Sequence, residues 1–137
     1  MANFYIAFDK VVRTFINDRY FKNSANIENH YKDRFWNFLR LDELIEQRLA
    51  NISLLSSAII GAPKTAFILQ EITSVTRGDG VINDRDIGNL NSIEIRRAAP
   101  LAVSFKVLDV LSDMVLRREM SNASSQKYVE IFINYNK

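Results

Sequence analysis

Leu101-Ala102-Val103-Ser104-Phe105-Lys106-Val107-Leu108-Asp109-Val110-Leu111-Ser112-Asp113-Met114-Val115 is the stretch that decides the fold class. Leu101, Phe105, Leu108, Leu111 and Met114, with Val115 beside the last, recur three or four residues apart, the repeat of one helix face, with polar side chains between them. The spacing predicts a helix that continues to about Met120 and buries those side chains.

The same repeat extends towards the N-terminus. Ile87, Leu90, Ile93 and Ile95 suggest a helix that stops before Pro100, because proline has no N–H to donate and its ring collides with the preceding turn. Arg77-Gly78-Asp79-Gly80 reads as a turn. Phe67, Ile68, Ile72 and Val75 mark a helix over 63–76, separated from the preceding stretch by Gly61 and Pro63. Within 27–62, Tyr31, Phe35, Phe38 and Leu39 are followed by Leu44, Ile45, Leu49, Ile52, Leu55, Ile59 and Ile60. Asp42 and Glu43 have the charge that suits a helix N-terminus, so two helices meeting near Leu41 are expected. The first segment, with Phe4, Phe8, Val11, Val12, Phe15, Ile16 and Tyr20, is an amphipathic helix ended by the polar patch 22–26, where Ser24 or Asn26 can cap the next one.

The tail 127–135 fits two repeats. Val129, Ile131 and Ile133 alternate like a strand, whereas Tyr128, Ile131 and Phe132 fit one helical face. A strand there needs an edge, supplied by residues 4–8 or by another subunit. The expected architecture is all-α: a single helical domain over 1–137, one compact bundle of about five or six helices, with a short terminal β-strand as the variant.

Composition narrows the function classes. At 137 residues, with 47% apolar and 25% charged residues, the chain suits one folded domain. Eighteen Lys and Arg oppose sixteen Asp and Glu, and the two signs are interleaved, so no segment stands out as a polyanion-binding stripe. With no cysteine there is no disulfide, thiolate metal site or thiol nucleophile. The first ten residues lack the pattern of a secretory leader, and the weakly charged run 51–63 is too short to cross a bilayer. A soluble, non-secreted protein with no membrane span is expected, in a compartment the residues do not name.

Gly78-Asp79-Gly80-Val81-Ile82-Asn83, followed by Asp86, is the nearest approach to a ligand-binding motif. Asp79, Asn83 and Asp86 fall at positions five, nine and twelve of an EF-hand calcium loop. The run is similar to loops in dockerin modules, a resemblance that implies a calcium site. Val75 and Arg77 occupy positions one and three, which removes two oxygen ligands and adds a cation. The plainer reading is a two-glycine turn with Asn83 or Asp84 capping the helix through Leu90. No metal or cofactor is therefore expected.

His30 lies one helical turn from Asp33, as a base oriented by a carboxylate would, but nothing identifies a nucleophile to join it. Arg96-Arg97 and Arg117-Arg118 each stand near the end of an expected helix; they suit the dipole there, or they grip phosphate if they align. Phe35 and Trp36 are adjacent and cannot both point inward, which makes an exposed Trp36 the first candidate for an interface, with Tyr5, Phe35, Tyr128 and Phe132 beside it. The expectation is a non-catalytic structural or protein-interaction subunit of a homo-oligomer or larger assembly, a virion-type particle being one setting. The alternative is a helical nucleic-acid-associated protein that uses the arginine pairs, and an enzyme acting through His30 ranks below both.

Overall fold

The computed structural model describes residues 1–14, 24–73 and 78–135, and among them the chain forms seven α-helices and no strand. They are α1 (Phe4–Thr14), α2 (Ser24–Tyr31), α3 (Gln47–Ile60), α4 (Ala62–Glu71), α5 (Asp84–Leu90), α6 (Ile93–Leu116) and α7 (Asn122–Tyr135). A π-helical turn (Lys32–Trp36) prolongs α2, and a 3-10 turn (Leu41–Glu43) precedes α3. The fold is all-α, with more helices than the five or six expected. The tail is helical rather than extended, because Ser125 and Phe132 are buried with Tyr128 and Ile131 packed beside them, a helical face that the strand alternation would break.

Every residue from 49 to 57 is buried, so α3 has no solvent face over that span. Of its four buried polar side chains, Asn51, Ser56 and Ser57 find hydrogen-bond partners one turn away. Ser56 Oγ donates to the Ile52 carbonyl at 2.7 Å and Ser57 Oγ to the Ser53 carbonyl at 2.9 Å, while Asn51 Oδ1 accepts from Gln47 Nε2 at 2.8 Å. Ser53 Oγ is buried with no such partner among the described residues. Helices α1, α4 and α6 pack on α3.

Local signals explain most element ends. Gly61 closes α3 with φ 91°, a left-handed value that an L side chain rarely adopts, and Pro63 stands in the first turn of α4. The chain breaks near Leu41 as expected, but the new helix starts later than Asp42: Glu46 caps α3 by accepting from Arg48 N at 3.3 Å. Glu43 is engaged elsewhere, bound to Arg40. Helix α4 is shorter than expected; Val75 and Thr76, like Phe15, Ile16 and Tyr20, lie outside the described residues.

Pro100 does not stop a helix. The break falls at Asn91 and Ser92, and α6 runs through Pro100. The proline deprives the Arg96 carbonyl of its helical donor, a loss of about 3 kcal/mol in an isolated helix. Its ring is buried here, so packing offsets part of that loss. Asn91 fixes the break by accepting from Ile45 N and donating to the Glu43 carbonyl, both at 2.9 Å.

The inward face of α6 also differs from the expected one. Ala99, Val103, Val107 and Leu111 are buried, whereas Leu101 and Phe105 are 52% and 61% exposed. Apolar side chains occupy both sides of α6, and the side that lies on the core is mostly small or β-branched, with Leu111 towards its C-terminal end. Leu111→Ala is expected to lower stability by about 2 to 5 kcal/mol through lost burial and the cavity left behind. Leu108, only half-buried, is expected to cost clearly less. Urea unfolding of both variants checks the order, and equal losses would contradict the facing described here.

Candidate interaction surface

The outer side of α6 is built by its own repeat. Residues 101, 105, 108, 112 and 116 advance in steps of three or four and share a face turned away from Val103 and Val107. Leu116 is 80% exposed at its C-terminal end. A helix with two apolar sides covers a core with one and leaves the other to water.

Helix α7 lies beside the C-terminal half of this face. The chain reverses after α6 through Arg118, whose φ of 60° is left-handed, while Glu119 N donates to the Met114 carbonyl at 2.9 Å. Ser121 Oγ then accepts from Ser124 N at 3.1 Å, starting α7. The result is an open groove of about 280 Å³ lined by Leu108, Ser112, Val115 and Leu116 on α6, with Ser125 and Val129 on α7. One turn beyond Val129, Ile133 is 51% exposed.

The residues singled out in the sequence fall elsewhere. Trp36 is 2% exposed and Phe132 1%, so neither ring is on the surface. The π-helical turn widens the backbone just before Trp36 and carries its ring onto α1, edge-on to Phe4 at 5.4 Å. The exposed ring of that segment belongs to Phe38, at 43%. Phe35 and Tyr128 are half-buried against the core, and Tyr5 is exposed beneath Lys32 Nζ at 5.7 Å from its ring. Sequence reasoning missed Leu101 and Phe105 as surface residues because it placed them in the core.

The arginine pairs sit at opposite ends of α6, roughly 30 Å apart at 1.5 Å per residue, and form no common patch. Arg96 and Arg97 stand near its N-terminus, against the dipole rather than with it. Arg117 follows its last residue and pairs with Asp113 at 3.1 Å. His30 lies in an open hollow of about 550 Å³ with Asp33, Arg34 and Phe38, and its ring meets Phe35 edge-on at 5.3 Å.

The half-loop resembling a calcium site is organised around an amide. Gln70 Nε2 donates to Asp79 Oδ1 at 2.9 Å, to the Val81 carbonyl at 3.0 Å and to Asp86 Oδ2 at 3.1 Å, and Gln70 Oε1 accepts from Gly80 N at 2.9 Å. Loop positions five, seven and twelve thus converge on a side-chain nitrogen. Gly78 must be glycine, since a Cβ there would meet Gln70 Oε1 at 2.1 Å. Asn83 turns away and caps α5, accepting from Asp86 N at 2.9 Å while Asp86 accepts from Asn83 N at 3.1 Å.

Two carboxyl groups are held below their ordinary range. Hydrogen bonds from Arg40 lower Glu43 from 4.5, and the Gln70 amide followed by Val81 N lowers Asp79 from 3.8. Arg40 also reaches Asp84 Oδ1 at 2.7 Å, tying the loop before α3 to α5, and its own pKa is raised. As pH falls, the unfolded chain takes up protons at these groups before the folded one does, so their stabilisation is complete above the ordinary values and declines below them. Glu43→Gln is expected to flatten the fall in melting temperature on acidification below pH 4.5, measured by circular dichroism. An unchanged acid slope would contradict the Arg40 contact.

Compared with protein-family models, with curated proteins and with solved structures, the chain matches none of them.

Proposed function

We propose that the protein is a non-catalytic structural or interaction subunit, and that the outer side of α6 with the adjoining groove is its contact surface. The observation that carries this reading is the second apolar side of α6, where Leu101, Phe105 and Leu116 stand in water without any need of the core for them. Large apolar side chains left in a row in water add little to folding, and such rows mark sites of association. Their neighbours on α7 widen the surface from one helix to two.

Because both side chains face water, Leu101→Glu with Phe105→Glu is expected to keep the helical circular dichroism of the parent and, at dilutions where the parent is dissociated, its melting temperature. The same double variant is expected to abolish association, read as sedimentation at micromolar concentration and as capture of partners by the tagged chain. A chain whose associations are unchanged by both substitutions contradicts the reading, as does one that stays monomeric and captures nothing.

A further inference from the structure

We draw no further inference here: the strongest candidate, the exposed apolar side of α6 with the groove it forms against α7, belongs to the contact surface already described, and nothing in the structure shows what covers it.

Discussion

Burial of α3 on every side over residues 49–57 is the constraint from which the remaining structure follows. A helix with water on one side can keep polar residues there; one that is covered on every side has to remove them or satisfy them within its own length. Here the polar positions are serines and one asparagine, and the hydroxyls of Ser56 and Ser57 turn back to carbonyls one turn earlier. A buried hydroxyl without a partner costs about 1 to 3 kcal/mol, so this local back-bonding makes a central helix affordable. The serines are also small, which lets α1, α4 and α6 approach closely.

What α3 demands of its neighbours is one apolar side each. Helix α1 supplies it with Phe4, Ala7, Phe8 and Val11, and α6 supplies it with Ala99, Val103, Val107 and Leu111. The outer side of α6 has no such duty, and its apolar character is the feature that the core leaves over. The polar clamps keep that side in a fixed place. Asn91 holds the start of α6 to the loop before α3, Arg40 ties the same loop to α5, and Gln70 locks the glycine turn to α4. A surface borne by a helix fixed in this way loses little conformational freedom when it is covered.

Features encoded over a few residues were legible in the sequence. The all-α class, the amphipathic α1, the junction at Gly61 and Pro63 and the cap at Asn83 all depend on neighbours in the chain. The facing of α6 does not, because apolar residues on both its sides satisfy the same repeat whichever side is inward; what decides is how closely Val103 and Val107 let it approach α3. Trp36 was misplaced for a related reason, since a π-helical turn shifts the ring by an amount that helical counting does not include. Pro100 shows packing overriding a local rule, and residues 127–135 show it choosing between two repeats. For the surface itself, Leu101 and Phe105 were legible as a pair on one face but with inside and outside exchanged.

The account turns on which side of α6 lies against α3, and thiol labelling of single-cysteine variants reads that side directly, because no native cysteine interferes. In dilute solution, cysteines at positions 101 and 105 are predicted to react at the rate of a free thiol, and cysteines at 103 and 107 only as fast as the protein unfolds. Protection at 101 and 105 together with free reaction at 103 and 107 would reverse α6 and contradict the account.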